Sequence, residues 1–333
     1  MSSKKKIAII LAAHGEAETP GFMENYRVTR QTLAHASLVM PIPGTLQRVI
    51  AISSSLKKRF RRDAEGSPHN RVTREQVGAL QRYLNESLAA EQFDFGVYAA
   101  FAASPPYVER IIDRTRSSDA QVIVSMAPID NTMSCGMLCS YLASSRTPGE
   151  LGNVRVLSRF WSDERLYPVY CDHLFEKSGL FASERNEERI LLLLFHGTLV
   201  ADEKGEPPRF RTGQEESMMF AQRLRHEILK DSRNPYGRVM TAFLNHNVGG
   251  EWTKPSFEEI ALQLRAESSA SVALFGCGYF ADGNETIRRS EELVQSRSVR
   301  EATTIPCLNS APAFTAYLAS KVIDAARQIM SCK

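Results

Sequence analysis

Short, almost uninterrupted apolar runs are the feature that most constrains how this chain can fold. Ile190-Leu-Leu-Leu-Leu-Phe195 is the clearest, and Ile7-Ala-Ile-Ile-Leu-Ala-Ala13 is another. Runs of this kind are typical of strands buried on both faces, as in parallel sheets covered by helices. The N-terminal run follows lysines as a secretion signal would. It is short, however, and no good cleavage site follows at His14-Gly15-Glu16, so we interpret it as a strand.

Similar runs alternate with amphipathic stretches along the chain. Strands are predicted at 7–13, 95–101, 121–127, 154–159, 190–195, 238–243, 271–275 and 303–306. Helices are predicted at 105–117, 133–145, 163–178, 214–230, 283–296 and 311–329, and capping boxes predict two more that begin at Thr73 and Ser256. The alternation predicts an α/β fold with parallel sheets, in one sheet or two. Pro and Gly in Thr147-Pro-Gly-Glu-Leu-Gly152 mark a domain boundary.

Length and charge narrow the classes of function. At about 150 residues per domain, 333 residues predict two domains. The 41 lysines and arginines against 38 acidic residues leave a net charge of +3, which argues against a dedicated nucleic-acid-binding protein. No stretch approaches the roughly 18 apolar residues of a membrane span, so we expect a cytoplasmic protein.

Glycine and cysteine patterns exclude two further kinds of site. Neither a dinucleotide-binding nor a P-loop glycine motif follows any strand, so no nucleotide cofactor is indicated. The six cysteines are scattered along the chain. Cys135 and Cys139 lack the second pair that a metal clip would need, and we interpret them as small buried apolar residues.

Polar residues follow several of the predicted strands. In open parallel sheets, ligands bind beyond the carboxyl ends of the strands. The residues found there are His14, His196, Asn245, His246 and, after the loop 276–283, Glu285. A single histidine at a strand end is more often a hydrogen-bonded structural residue than a functional one. Three such histidines that converge with a glutamate, however, predict a catalytic or binding site. The other histidines, His35, His69, His173 and His226, are interpreted as surface residues.

Motifs spread along the chain resemble those of ferrochelatases. Leu193-Leu-Phe-His-Gly-Thr198 resembles their Ser/Tyr-His-Gly stretch, and Gly276-Cys-Gly-Tyr-Phe-Ala-Asp-Gly-Asn-Glu-Thr-Ile287 resembles their Gly-Phe-x-x-Asp-x-x-Glu-Thr-Leu motif. Further resemblances, in the family's order, are Gly66-Ser67-Pro68, Phe160-Trp161, Glu251-Trp252-Thr-Lys-Pro255 and Pro306-Cys-Leu-Asn-Ser-Ala-Pro312. Each motif alone is weak, but through the ordered set the chain is identified as a divergent, bacterial-type member of this family.

The resemblance implies two Rossmann-like domains, each a mostly parallel four-stranded sheet flanked by helices, with a porphyrin cleft between them. Residues 1–148 with 308–333 would form the first domain, and 149–307 the second, which carries the catalytic residues. The implied activity is insertion of Fe2+ into protoporphyrin IX, the terminal step of haem biosynthesis. Fe2+ is then a substrate, and no tightly bound cofactor is expected. The family's iron–sulfur cluster needs three cysteines grouped near the C-terminus, where Cys332 stands alone, so none is predicted.

The resemblance also implies roles for individual residues. His196 matches the catalytic histidine, which accepts a proton or holds the metal, and Glu285 matches the catalytic glutamate, which relays protons or delivers the metal. His14 either ligates iron from the face opposite His196 or is a structural histidine bonded to the backbone. The residues expected to contact the porphyrin are His14, Ser67, Ser134, Asn245, His246, Trp252 and Tyr279.

Several departures from the family's pattern keep other functions open. Leu244-Asn245-His246 stands in place of Gln-Ser-Arg/Lys, and Ala102-Ala103 in place of Arg-Tyr, so cations that place porphyrin carboxylates are missing. Arg288-Arg289 interrupts an acidic helix face. The alternatives are a chelatase for coproporphyrin, another tetrapyrrole or another metal, and a porphyrin- or haem-binding protein with little turnover. A serine hydrolase is poorly supported, because no G-x-S-x-G elbow is present.

The basic run Leu56-Lys-Lys-Arg-Phe-Arg-Arg62 has two interpretations. It is either a solvated helix face with Leu56 and Phe60 packed inward, or a patch whose cations attract porphyrin carboxylates or acidic lipid headgroups. The second interpretation predicts peripheral contact with the inner face of the membrane. The resemblance further implies a monomer whose partners are a porphyrin and ferrous iron.

Overall fold

Two separate four-stranded parallel sheets organise the chain. The computed structural model describes residues 4–37, 42–60, 66–179, 185–246, 249–265, 271–288 and 301–331. They group into two units, Met1–Ser158 with Phe314–Lys333 and Arg159–Ala313. Each unit contains one of the sheets. The predicted fold of two mostly parallel four-stranded sheets flanked by helices is confirmed.

The first unit is built on the strands β1 (Lys5–Ala13), β2 (Phe93–Phe101), β3 (Ala120–Ser125) and β4 (Val154–Leu157). They lie in the order β2-β1-β3-β4, and all of them pair in parallel. Its helices are Phe22–Ala36, Gly44–Phe60, His69–Glu86, Val108–Arg114, Met137–Ser145, Pro148–Leu151 and, from the C-terminus, Pro312–Ser331. Ile10 and Ile123 of the sheet pack with Ile111, Ile112 and Leu142 of the helices in one core cluster.

The second unit is built on β5 (Asn186–His196), β7 (Tyr236–Leu244), β9 (Ser271–Phe275) and β10 (Glu301–Ile305), in the order β10-β9-β5-β7. The short strands β6 (Leu199–Ala201) and β8 (Glu251–Trp252) form an antiparallel pair beside it. Its helices are Leu166–Lys177, Gln214–Lys230 and Phe257–Arg265, and residues 284–288 are also helical. The apolar run 190–195 is at most 1% exposed, as expected for a strand covered on both faces.

The boundary between the units differs from the prediction. A boundary at 148/149 would place β4 in the second domain, but Gln121 pairs with Val154 and Val124 with Leu157 in the first sheet. The ladder between β3 and β4 therefore moves the boundary to 158/159. The chain returns to the first unit at 314 rather than 308, because the loop after β10 remains with the second unit.

One of the two predicted helix starts is confirmed and the other is wrong. At Ser256 the capping box forms, with Ser256 N donating to Glu259 Oε2 at 2.7 Å and Glu259 N donating to Ser256 Oγ at 3.1 Å. At Thr73 it does not, because the helix already begins at His69. The Thr73 hydroxyl instead donates to the His69 carbonyl oxygen, one turn earlier in the same helix.

Several assignments of residues to the interior or the surface were wrong. Leu56 is 40% and Phe60 75% exposed, so these side chains do not pack inward. His173 is only 4% exposed, and its Nε2 lies 2.9 Å from the Pro306 carbonyl oxygen. Cys139 is exposed rather than buried. Arg61, Arg62 and the predicted helical residues 289–296 lie outside the described part of the chain.

None of the described helices combines the length and the apolarity that crossing a membrane would require.

The central strand of the second unit provides a test of this packing. We expect Leu192→Ala to lower the free energy of unfolding by about 2–5 kcal/mol, because truncation leaves a cavity beside a fully buried strand. Leu262→Ala, at a position 67% exposed, should change it by less than about 0.5 kcal/mol. Trp161 and Trp252 both lie in the second unit, so tryptophan fluorescence during urea unfolding measures this unit alone. Equal effects of the two substitutions would contradict the assignment.

Candidate active site

The carboxyl ends of β5, β7 and β9 bring the polar residues of the second unit together. His196, the last residue of β5, pairs with Leu244, the last residue of β7. Leu193 of β5 pairs with Phe275, the last residue of β9. Because parallel strands end at the same edge of a sheet, the segments that follow them begin as neighbours. Within this unit, the residues predicted to form a site at the strand ends therefore start from one edge of the sheet.

His196, Glu285 and Tyr279 form a hydrogen-bonded group at this edge. His196 Nδ1 lies 3.1 Å from Glu285 Oε2, and the Tyr279 hydroxyl donates to the same oxygen at 2.6 Å. The Tyr279 hydroxyl also lies 3.5 Å from His196 Nδ1. The side chain of His196 is 46% exposed and that of Glu285 is 23% exposed, so solvent and small solutes can reach both. Tyr279, expected only as a porphyrin contact, thus orients the carboxylate.

His246 and Trp252 extend this group. The ring centroids of His196 and His246 lie 5.1 Å apart. The Trp252 ring packs against His246, with centroids 5.5 Å apart. His196, His246 and Glu285 each offer one ligand atom, and the three atoms lie within 4.8 Å of one another. Two imidazoles and a carboxylate are ligands that divalent first-row metals accept. The arrangement can therefore hold a cation as well as exchange protons.

The loop after His196 is fixed by close contacts with the loop after β7. A Cβ on Gly197 would lie 1.9 Å from Asn245 Oδ1, so only glycine fits there. Asn245 Nδ2 donates to the Thr253 carbonyl oxygen at 2.9 Å, and the hydroxyls of Thr198 and Thr253 lie 2.7 Å apart. Asn245, expected to contact the porphyrin, thus has its amide nitrogen engaged within the loop. Its contact with a porphyrin stays a prediction.

The segment that carries Glu285 is fixed by a pair of residues that the sequence analysis did not single out. Asn309 Nδ2 donates to Asp282 Oδ2 at 2.6 Å, and the Asp282 amide donates to Asn309 Oδ1 at 2.9 Å. Cys307 N donates to the other oxygen of Asp282. These bonds tie the loop before Glu285 to the segment after β10. Both residues lie in the motifs that resemble those of ferrochelatases, and this resemblance was the one sign in the sequence that they matter.

The electrostatics of the pair follow from this geometry. Burial alone would raise the pKa of the Glu285 carboxyl, but the charge and hydrogen bond of His196, the hydrogen bond of Tyr279 and the charge of His246 lower it to about 2. Desolvation lowers the pKa of the His196 imidazole, but the charge and hydrogen bond of Glu285 outweigh it and raise that pKa above its ordinary value. The pair therefore favours an ionised carboxylate beside an imidazole that readily accepts a proton.

The remaining predicted residues lie in the first unit. His14 follows β1 and is exposed, and its Nε2 lies 3.4 Å from the Thr32 hydroxyl. Ser67 is buried, and its hydroxyl donates to the Glu16 carboxylate. Ser134 forms a capping box with Asn131 at the start of a helical turn. Their roles at iron or porphyrin stay predictions.

The fold and the strand-end site define a class of protein, the chelatase-like α/β proteins with two parallel sheets. SirB from Bacillus subtilis, solved with Fe3+, is 10% identical with a TM-score of 0.52 over 96% of both chains. DR2241 from Deinococcus radiodurans, a multi-domain protein with structural similarity to chelatases, is 13% identical with a TM-score of 0.50. That match covers 96% of this chain but only 55% of DR2241. These likenesses show the fold.

The model of the ferrochelatase family matches residues 6–326. The chain therefore belongs to the ferrochelatase family, and it is a divergent member. It is 24% identical to a ferrochelatase of Synechococcus sp. over 303 residues, which cover 85% of this chain and 82% of that protein. It is 18% identical to a ferrochelatase of Helicobacter pylori over 231 residues, which cover 67% of this chain and 66% of that protein, just under two thirds. Family membership supports metal insertion into a tetrapyrrole as the class of activity.

The electrostatic coupling within the pair can be measured directly. We expect Glu285→Gln to lower the pKa of His196, because it removes the carboxylate that raises this pKa and leaves the desolvation that lowers it. The ring resonances of His196, followed by NMR against pH, give the value. Glu258→Gln, in the first turn of the helix Phe257–Arg265, is the matched control and should leave the His196 pKa unchanged. A His196 pKa that does not move in Glu285→Gln would contradict the coupling.

The same shifts fix how the pair affects stability. The raised pKa of His196 contributes stability that is present below the ordinary histidine value of 6.5 and is lost as pH rises through the raised pKa. The lowered pKa of Glu285 contributes stability above the ordinary value of 4.5, which is lost as pH falls towards about 2. Both contributions are therefore present together between pH 4.5 and 6.5.

Proposed function

We propose that this protein is a ferrochelatase that inserts Fe2+ into protoporphyrin IX, as the terminal step of haem biosynthesis. The observation that carries the proposal is the His196–Glu285 pair, with Nδ1 3.1 Å from Oε2, placed at the carboxyl end of β5 and oriented by Tyr279. The match of the family model over 6–326 supports the same activity. On this proposal the enzyme is a lyase that needs no resident cofactor.

The reaction needs proton acceptors at the place where the metal enters. Insertion replaces two pyrrole N–H protons with one Fe2+, so two protons leave the macrocycle. His196, whose pKa is raised by Glu285, accepts a proton from a pyrrole nitrogen or contacts the ion. Glu285 stays ionised across the physiological range, so it stabilises the imidazolium and passes protons on or guides the cation inward. Tyr279 is a positioning residue, because its hydroxyl holds Glu285 Oε2.

A chelatase for coproporphyrin, another tetrapyrrole or another metal is the second candidate. The amide nitrogen of Asn245 is bonded to Thr253, and His246 contacts His196 and Trp252. Neither residue supplies the permanent cation that would pair with a propionate as arginine does. This observation favours either a different tetrapyrrole or protoporphyrin IX held by other residues. The contacts proposed for Ser67, Ser134 and Trp252, and the ligation of iron by His14, apply to either substrate.

The activity is tested by mixing the purified protein anaerobically with Fe2+ and with protoporphyrin IX or coproporphyrin. The appearance of the metallated spectrum identifies the substrate. We expect His196→Ala and Glu285→Gln to lower the rate by roughly 10²- to 10⁴-fold while porphyrin still binds, because each removes a group that exchanges protons at the reacting centre. His226→Ala, on the exposed face of the helix Gln214–Lys230, is the matched control.

Three outcomes separate the candidates. Turnover of coproporphyrin but not protoporphyrin selects the second candidate. Binding of both porphyrins without metallation of either rejects Fe2+ insertion into these two substrates and favours a haem- or porphyrin-binding protein. Near-normal turnover in His196→Ala or Glu285→Gln would remove that residue from the mechanism.

We also propose that the helix Gly44–Phe60 contacts an anionic membrane surface from the cytoplasmic side. Val49, Ile52, Leu56 and Phe60 recur at helical spacing and are between 40% and 75% exposed. Lys57, Lys58 and Arg59 lie in its last turn. An exposed apolar stripe beside a cluster of cations is the pattern of helices that lie in the headgroup region.

Membrane contact is tested by sedimentation with vesicles. We expect binding to vesicles that contain phosphatidylglycerol, and a loss of about tenfold or more in Phe60→Ser, because a buried Phe side chain contributes about 1.5–3 kcal/mol. Leu88→Ser is the matched control, since Leu88 is 83% exposed on a different segment. Equal loss in both variants, or equal binding to neutral phosphatidylcholine vesicles, would contradict the assignment.

A further inference from the structure

His246 lies where a third ligand for a cation would be needed. His196 and Glu285 already place two donor atoms 3.1 Å apart. Two donor atoms that share one ion lie about 3 to 3.4 Å apart, so replacing the shared proton of this hydrogen-bonded pair with an ion would need only a small movement. The ligand atom of His246 lies within 4.8 Å of the other two. Closing the remaining gap requires the exposed His246 side chain to move slightly towards the pair.

The packing of the rings restricts where the His246 imidazole can point. It meets His196 edge to face, with centroids 5.1 Å apart and an angle of 66°. On its other side it meets Trp252 edge to face, at 5.5 Å and 75°. Trp252 in turn belongs to β8, which pairs with β6, the short strand that begins at Leu199 just after His196. The ring is thus held against the His196–Glu285 pair by an element of the same unit.

We propose that His246, His196 and Glu285 together form a site that holds the divalent metal before porphyrin binds. This inference rests on the proposed metal insertion only for the identity of the physiological ion, Fe2+. Two histidines and one carboxylate suit Fe(II), and such a set leaves coordination positions open. Those positions would accept the porphyrin nitrogens, so the ion passes to the macrocycle by exchange of ligands.

The proposal differs from a role of His246 in binding porphyrin carboxylates. A carboxylate needs a hydrogen-bond donor or a cation at this position, whereas a metal needs the lone pair of a neutral imidazole. Lysine keeps the donor and the charge but does not ligate a metal at neutral pH. His246→Ala and His246→Lys therefore separate the two roles.

The experiment titrates the full-length protein with Co2+ in the absence of porphyrin. Co2+ binds such sites at least as tightly as Fe2+, and its visible spectrum reports the coordination. We expect one equivalent to bind, and both His246→Ala and His246→Lys to weaken binding at least tenfold. His226→Ala, which removes an exposed histidine on the helix Gln214–Lys230, should bind Co2+ as the wild type does.

A measurement on the unmodified protein does not depend on the folding of any variant. In the Co2+-loaded wild type, paramagnetically shifted imidazole resonances should report two coordinated histidines. One of these signals should be lost in His246→Ala and the other in His196→Ala. A single shifted imidazole in the wild type would overturn the proposal.

The remaining outcomes separate this inference from the proposed function. Co2+ affinity unchanged in His246→Ala overturns the third-ligand role even if porphyrin is metallated. If His246→Ala only raises the KM for porphyrin, and His246→Lys restores the wild-type KM, the third-ligand role is overturned and carboxylate binding is supported. Conversely, three-residue Co2+ binding with no metallation of any porphyrin supports the metal site and rejects the chelatase function.

Discussion

The parallel pairing of β5 with β7 and β9 is the constraint on which the site depends. Hydrogen bonds along these strands end at His196 opposite Leu244, and at Phe275 opposite Leu193. Because the pairing fixes where the strands stop, it also fixes where three loops begin. The buried leucines of β5 supply the driving force for this register, since a slip by one residue would displace every contact that they make.

The loops add a second level of constraint. Gly197 allows the loop after β5 to approach Asn245, and the Asp282–Asn309 pair holds the loop before Glu285. Both arrangements consist of hydrogen bonds and close contacts between segments far apart in sequence. They allow His196 and Glu285, which are separated by 89 positions, to meet at hydrogen-bond distance. The His196–Glu285 pair is therefore a product of loop geometry as much as of the sheet.

The sequence was informative where one physical rule dominates. Continuous apolar runs predicted the parallel sheets, and the rule that ligands bind at strand ends led to His196 and His246. The helix Phe22–Ala36 was not predicted, and of Gly44–Phe60 only the end from Leu56 was considered helical, although apolar residues recur at helical spacing from Val49 to Phe60. Asn25 is the buried residue of the first, and Ala51 and Ser55 are those of the second.

Side-chain partnerships were the part that the sequence could not provide. Nothing in the spacing of Tyr279 and Glu285 shows that the phenol donates to the carboxylate, because that depends on the path of the loop between them. The place of β4 in the first sheet depends likewise on pairing with β3 rather than on local sequence. Propensity and periodicity describe single segments, whereas these features are properties of two segments in contact.

The chemistry of position 246 shows why one substitution can change more than one property of such a site. The resemblance leads us to expect a permanent cation there, which would bind carboxylates at the rim of the substrate and repel a metal ion. An imidazole reverses this preference whenever it is neutral, because its lone pair is then available to the ion. As a cation it cannot ligate the metal, since the proton that gives it the charge occupies the lone pair that the ion needs, and a metal-bound imidazole keeps only one N–H for a carboxylate. On the proposed function, a chain with His246 beside His196 and Glu285 is better suited to binding the metal than the porphyrin carboxylates, which other residues would then have to recognise.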